Sequence, residues 1–217
     1  MIAEDTLEKL NSTEYTIGDF TIRFTDETIS DCNGLELMIP PNEEDYIDTD
    51  KSVFRVGDKL FFILNSGDTT VLANEPFDEE NPNYNESAIY RFVGSVEGIN
   101  HWEIFTIGYE CHYTILLNKD SGNITKVIGR PVASPSSELI LCGNPDLESG
   151  YTINGFDLVE YKKDRLLKIG QLELLDWGPY ECSWKNDSVA IIKKGIMDET
   201  YTLRKSCIEM HFIKNGG

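Results

Sequence analysis

The spacing of apolar and polar residues follows a period of two along most of the chain. That period is typical of β-strands, whose side chains point alternately to the two faces of a sheet. Short runs of this kind flank Gly18-Asp19 and Gly57-Asp58, and the turn-forming residues 65–68 and 118–123 separate further runs. Apolar runs joined by such turn residues predict β-hairpins.

The fold class that follows is all-β, with antiparallel hairpins and meanders in a partial-propeller-like or sandwich-like array and little helix. The one helical candidate is Thr6–Leu10. We expect residues 1–217 to form a single all-β domain. After a first hairpin over 15–24, the predicted strands are 35–39, 53–56, 60–64, 69–73, 89–93, 102–107, 113–117, 124–128, 138–142, 156–161, 166–170, 172–175, 188–193, 200–204 and 207–213.

Two segments, 40–51 and 74–87, break this pattern, and both are acidic and contain Pro and Asn. They are predicted to be long surface loops. Three interpretations of their carboxylates stay open: a solvated face, a protein-binding face, or a Ca²⁺ site. The spacing and glycine of an EF-hand loop are missing, so that motif is excluded.

The negative charge of the chain lies almost wholly in its first half. Residues 1–110 contain 24 Asp and Glu against 6 Lys and Arg, whereas residues 111–217 contain 14 against 13. A net charge of −19 disfavours nucleic acid and anionic membrane surfaces, because both would be repelled. A basic protein or a cation remains a compatible partner.

The sequence leaves the location of the protein open. The first residues have neither the basic nor the apolar region of a signal peptide, so the chain as written is expected to be cytoplasmic. A periplasmic or envelope location is the alternative, if a leader has been removed. We expect no transmembrane segment, since no apolar run approaches the ~20 residues of a membrane span.

No residue pattern in the chain predicts catalysis, a metal or a cofactor. The three histidines, His101, His112 and His211, lack metal-ligand spacing, and neither a nucleophile elbow nor a phosphate-binding glycine loop is present. The expectation is therefore a protein that is not an enzyme and has no cofactor. The three tryptophans, Trp102, Trp177 and Trp184, are expected to pack in the core rather than to line a sugar or peptide groove.

The five cysteines leave two interpretations. They are far apart in the sequence and include no Cys-x-x-Cys pair: Cys32, Cys111, Cys142, Cys182 and Cys207. A zinc ribbon or a dithiol redox motif is therefore not expected. Buried free thiols are one interpretation, and one disulfide in an oxidising compartment is the other.

Residues 115–193 contain a repeated pattern. The segment 115–122 (ILLNKDSG) ends a strand in a polar turn closed by glycine, and 129–141 (GRPVASPSSELIL) has a proline, turn and strand pattern that returns at 178–191. The two prolines, Pro131 and Pro179, are 48 residues apart, within the range of blade repeats. On these motifs the region resembles consecutive blades of bacterial WD-like or TolB-like β-propellers. The resemblance covers about a third of the chain and implies a binding or scaffold role.

Three hypotheses of function follow. The first is a non-enzymatic binding protein whose acidic half docks a basic protein, for instance an immunity protein that inhibits a basic toxin. The second is an envelope-associated β-protein with a scaffold or ligand-binding role, and the third a hydrolase of glycans or peptides that uses two carboxylates. A homodimer through edge strands is also compatible. The residues predicted to contact the basic partner are Glu43, Glu44, Asp45, Tyr46, Asp48, Asp50, Phe77, Asp78, Glu79, Glu80 and Tyr84.

Overall fold

The computed structural model describes residues 14–25, 42–78 and 87–215. These residues form sixteen strands in four antiparallel sheets, and the only helical elements among them are two single 3₁₀ turns, Glu43–Asp45 and Ile47–Thr49. The all-β fold class is thereby confirmed. The helical candidate Thr6–Leu10 and the predicted strand 35–39 lie outside the described residues. Among the described residues, no helix is long and apolar enough to span a membrane.

We number the sheets in chain order. Sheet I contains β3 (Val53–Val56), β4 (Lys59–Ile63) and β5 (Thr69–Ala73). Sheet II contains β6 (Ala88–Ser95), β7 (His101–Gly108), β8 (His112–Asn118) and β9 (Ile124–Val127). Sheet III contains β10 (Arg130–Ala133), β11 (Leu139–Asn144), β12 (Gly155–Lys162) and β13 (Arg165–Glu173). Each of these sheets is a meander of sequential hairpins.

Sheet IV joins the two ends of the described chain. It contains β14 (Gly178–Asn186), β15 (Val189–Met197) and β16 (Leu203–Lys214), and β16 pairs with the early strand β2 (Phe20–Thr25), beside which lies β1 (Glu14–Ile17). Ile22 on β2 stands opposite Phe212 on β16. The N-terminal hairpin thus completes a sheet of C-terminal strands, through contacts that no local sequence pattern specifies.

The sheets pack in the order I, II, III, IV, with an apolar core between each neighbouring pair. Sheets I and II enclose Phe62 and Trp102, sheets II and III enclose Leu116 and Ile140, and sheets III and IV enclose a larger core around Phe156. Sheets II and III are therefore covered on both faces. This explains the apolar runs 115–117 and 139–142, since a strand with two buried faces loses the alternation of polar and apolar residues.

The hairpins were predicted well where turn chemistry is local. β1 and β2 flank Gly18-Asp19, and β3 and β4 flank Gly57-Asp58. Gly57 has a φ of +56°, a left-handed conformation that glycine adopts without the penalty a Cβ brings.

The strand predictions were wrong in several details, and the predicted strands do not include β14 (Gly178–Asn186). Strand β10 was missed because Pro131 suggested a turn; the strand lies at a sheet edge, where a missing N–H breaks no ladder. Residues 166–170 and 172–175 belong largely to one strand, β13, and β16 begins only at Leu203. The boundary of charge at residue 110 falls in the turn between the paired strands β7 and β8. The acidic half therefore does not coincide with a structural unit.

Candidate functional site

The acidic segment 42–50 lies beside sheets I and II as two consecutive 3₁₀ turns joined at Tyr46. The turns close through local bonds: the Tyr46 amide donates to the Glu43 carbonyl over 2.9 Å, and the Thr49 amide donates to the Tyr46 carbonyl over 2.9 Å. Long-range contacts to β3 and β6 hold the segment in place. The predicted surface loop therefore has a defined backbone in its described part.

Glu43 anchors this segment to two sheets at once. The Arg55 guanidinium on β3 donates to both Glu43 carboxylate oxygens, over 2.5 and 2.8 Å, and the Phe92 amide on β6 donates to Oε1 over 2.9 Å. Arg55 also donates to the Tyr90 carbonyl over 2.6 Å. A charge-assisted bidentate pair fixes geometry as well as adding energy. Glu43 is thus engaged inside the protein, and its contact with a partner stays a prediction.

Asp50 anchors the other end of the segment. Its carboxylate accepts hydrogen bonds from Trp102 Nε1 over 2.8 Å and from the Ser52 amide over 2.9 Å. Partial burial disfavours the ionised form, but these hydrogen bonds outweigh burial and hold the pKa of Asp50 below its ordinary value. Tyr46 between the two anchors is half-buried against the core of sheets I and II.

Three acids of the segment, Glu44, Asp45 and Asp48, are exposed. No ion pair joins them to any residue in the part of the chain that the structure describes. We call these three residues the acidic shelf. Because Glu43 and Asp50 fix the backbone on either side, the backbone that carries the shelf has little conformational freedom left to lose on binding.

The second acidic segment is described only at its start. Phe77 is 46% exposed, and its ring stacks on that of Tyr109 with centroids 4.9 Å apart. Asp78 follows it on the surface. The other predicted contact residues, Glu79, Glu80 and Tyr84, lie outside the described residues, so the structure brings together only the members of the 43–50 group.

Sheet I has an apolar outer surface that is not among the predictions from the sequence. Its inner face, with Val53, Leu60, Phe62 and Leu72, is buried against sheet II. Its outer face carries apolar side chains as well, and they reach solvent: Phe54, Val56, Phe61, Ile63 and Val71. The signal was present in residues 53–56 and 60–64, where both phases of the alternation are largely apolar. Such a run is typical of a strand with two covered faces, but here one face is open.

The tryptophans confirm their predicted packing role. Trp102 is 2% exposed in the core between sheets I and II. Trp177 and Trp184 pack against the core of sheets III and IV; Trp184 donates through Nε1 to the Val132 carbonyl over 2.8 Å. Trp184 also borders a cleft of about 540 Å³ between sheets II, III and IV, where Glu97 is the one carboxylate that lines the wall.

The buried carboxylates are held in ion pairs. Glu103 accepts from Arg130 over 2.8 Å, and burial raises its pKa although the arginine opposes the shift. Asp157, fully buried, pairs with Lys168 over 2.8 Å and accepts from Gln171 over 2.7 Å. Within the described ranges, no three His, Cys, Asp or Glu side chains converge to hold a metal ion.

Both interpretations of the cysteines apply in part. Cys111, Cys142 and Cys182 are free thiols, and burial raises the pKa of the Cys142 thiol well above its ordinary range. Such a thiol is chemically inert. Cys207 is disulfide-bonded, which is the pairing typical of an oxidising compartment.

No protein-family model, curated protein or solved structure matches this chain. The resemblance of residues 115–193 to propeller blades therefore stays a prediction.

Proposed function

We propose that this protein is a non-enzymatic binding protein that docks a basic protein partner through the acidic shelf, Glu44, Asp45 and Asp48. The observation that carries the proposal is that the acids of segment 42–50 differ in their contacts. Glu43 and Asp50 bond to the protein itself, while the acids between them are exposed and unpaired within the described chain. A rigid acidic platform speeds association with a cationic surface and selects against anionic competitors.

The charge of the surrounding region supports the same partner. Residues 42–78 contain nine Asp and Glu against the three cations Lys51, Arg55 and Lys59, and Arg55 is neutralised by Glu43. One specific form of the proposal is an immunity protein that covers the cationic cleft of a toxin such as a nuclease, because a cleft that binds phosphates is itself positively charged.

The disulfide at Cys207 favours the second hypothesis, an exported or envelope-associated β-protein, since structural disulfides persist in oxidising compartments. The two functions are compatible, because a binding protein can work outside the cytosol. Binding assays are therefore to be run without reductant.

Capture of a partner from extracts of the source organism, followed by purification of that partner, tests the proposal. We expect a protein of positive net charge whose affinity falls steeply between roughly 50 and 500 mM NaCl, as expected for exposed charges that salt screens. The variant Glu44→Lys/Asp45→Lys/Asp48→Lys should weaken binding at least about ten-fold.

A matched control keeps the result specific. The variant Glu148→Lys/Glu173→Lys/Glu199→Lys changes the net charge equally, at exposed acids of the second half. Its affinity should stay within about two-fold of the unmodified chain. Equal losses in both variants, or capture of proteins without positive charge, would overturn the proposal.

A further inference from the structure

Sheet I has two apolar faces, of which one is covered. The register places Phe54 opposite Phe61, and Phe61 opposite Val71, in a single row across its three strands. The rings of Phe54 and Phe61 stack with centroids 5.1 Å apart and planes within 2° of parallel. Val56 and Ile63 extend the same face, because they stand two residues along their strands from Phe54 and Phe61.

The apolar side chains of this outer face are partly exposed to solvent. Exposure is 40% for Phe54, 60% for Val56, 41% for Ile63 and 43% for Val71. Contiguous apolar patches on soluble proteins rarely exceed a few hundred Å², and the largest of them is often a contact site. The central strands of sheets II and III, β7, β8, β11 and β12, have no open face of this kind, since neighbouring sheets cover them on both sides.

We propose that the outer face of sheet I is the apolar centre of the surface that docks the basic protein partner, with the acidic shelf in its rim. This inference rests on the proposed function and adds the anchor residues to it. Binding energy concentrates in a few apolar side chains near the centre of an interface, and charged residues are depleted there and populate the rim.

The outer face is large enough for the centre of an interface but too small to form a whole interface. Three strands and five residues of β-structure span about 14 by 17 Å, on the order of 240 Å². A stable interface covers roughly 800 Å² on each partner, so the remainder must come from the surroundings. Those surroundings include Asp58 in the β3–β4 turn, Asp68 in the β4–β5 turn and the acidic segment 42–50 against β3.

The negative charge around the outer face of sheet I determines which kind of partner fits it. Asp58 and Asp68 lie at opposite ends of the face, and Lys59 is the one cation that the described strands place on it. A second copy of the chain would bring two acidic rims together around the apolar rows, and like charges at close range disfavour that arrangement. A folded partner with an apolar centre and a basic rim is complementary in both respects.

Polar β-branched substitutions test the apolar centre. Val56→Thr/Ile63→Thr/Val71→Thr retains β-branched side chains and hence strand propensity, while it removes apolar contact area. We expect the affinity for the purified basic partner to fall at least about ten-fold at unchanged salt dependence. The control is Ile124→Thr/Ile196→Thr/Ile213→Thr, three comparably exposed residues of sheets II and IV, which should bind as the unmodified chain does. Thermal unfolding of both variants confirms that they fold.

A photo-crosslinking residue in place of Phe61 identifies the occupant directly, with the same residue in place of the exposed Leu167 as the control. A crosslink from position 61 to the basic partner, absent from position 167, supports the proposal. A crosslink to a second copy of the chain, or equal yields from both positions, overturns it. If the shelf variant loses binding while the threonine variant does not, the proposed function stands and this inference fails; if neither variant loses binding, both fail.

Discussion

The two end sheets of the array, sheet I and sheet IV, each bury one face against an inner sheet and present the other outward. The outward face of sheet IV carries charged side chains in pairs, Arg23 with Glu14 and Lys185 with Glu209. The outward face of sheet I carries Phe54, Phe61 and Val71 in a row. Water solvates paired charges well and an apolar row poorly, so the outward face of sheet I gains more free energy from being covered.

The inner and outer faces of sheet I should differ most in their effect on stability. Phe62 is fully buried and contacts Phe92 and Trp102. Phe62→Ala should lower the free energy of unfolding by about 3–5 kcal/mol, because it removes buried area and leaves a cavity. Phe54→Ala should lower it by no more than about 1.5 kcal/mol, through the lost ring stacking.

Urea denaturation followed by tryptophan fluorescence measures both variants. The two faces would not differ in role if Phe54→Ala lowered the free energy of unfolding as much as Phe62→Ala does. The outer row would then serve the fold itself rather than a partner.

Acidification should destabilise the fold through a buried histidine between sheets II and III. His101 on β7 is 2% exposed, and its ring lies edge-on to Tyr161 of sheet III with centroids 5.8 Å apart. Burial lowers the pKa of His101 to about 4; nearby Lys119 lowers it further, while Asp164 and Asp120 oppose the shift. The unfolded chain therefore gains a proton near the ordinary pKa of 6.5, and the folded chain gains it only near 4.

The free energy of unfolding should consequently fall as the pH drops from about 6.5 to about 4, by up to about 3 kcal/mol. Below that range this contribution stays constant. His101→Gln retains an acceptor for Asn118 and does not titrate, so its stability should lack this step. Denaturation midpoints of both proteins at a series of pH values measure the difference; parallel profiles would contradict the assignment to His101.

The neighbouring acids Glu43 and Glu44 of segment 42–50 should differ in their effect on stability, because one is an anchor and the other lies at the surface. Glu43→Gln weakens the pair with Arg55 and should cost about 1–3 kcal/mol, because a partly buried guanidinium loses its charged partner. Glu44→Gln removes the same charge one residue further on and should stay within about 0.5 kcal/mol of the unmodified chain. Equal costs, measured by the same denaturation assay, would show that the turn is not anchored as described.

The sequence predicted the hairpins at Gly18-Asp19 and Gly57-Asp58 because turn chemistry depends on adjacent residues. It also placed the acidic segments and the tryptophan packing. It could not distinguish Glu43 from Glu44, since the two are identical in type and adjacent in position. Their roles depend on Arg55 and Phe92, which lie 12 and 49 residues away.

The amino-acid sequence by itself determined the all-β class, most strand positions and the concentration of negative charge in the first half, because alternation, turn residues and charge are properties of short stretches of chain. The tertiary structure decided which apolar phase of β3 and β4 is buried. It also decided which acids are anchored, and that β2 pairs with β16. Burial and long-range pairing arise from contacts between residues far apart in the chain, such as Ile22 and Phe212, and local patterns carry no information about those distances.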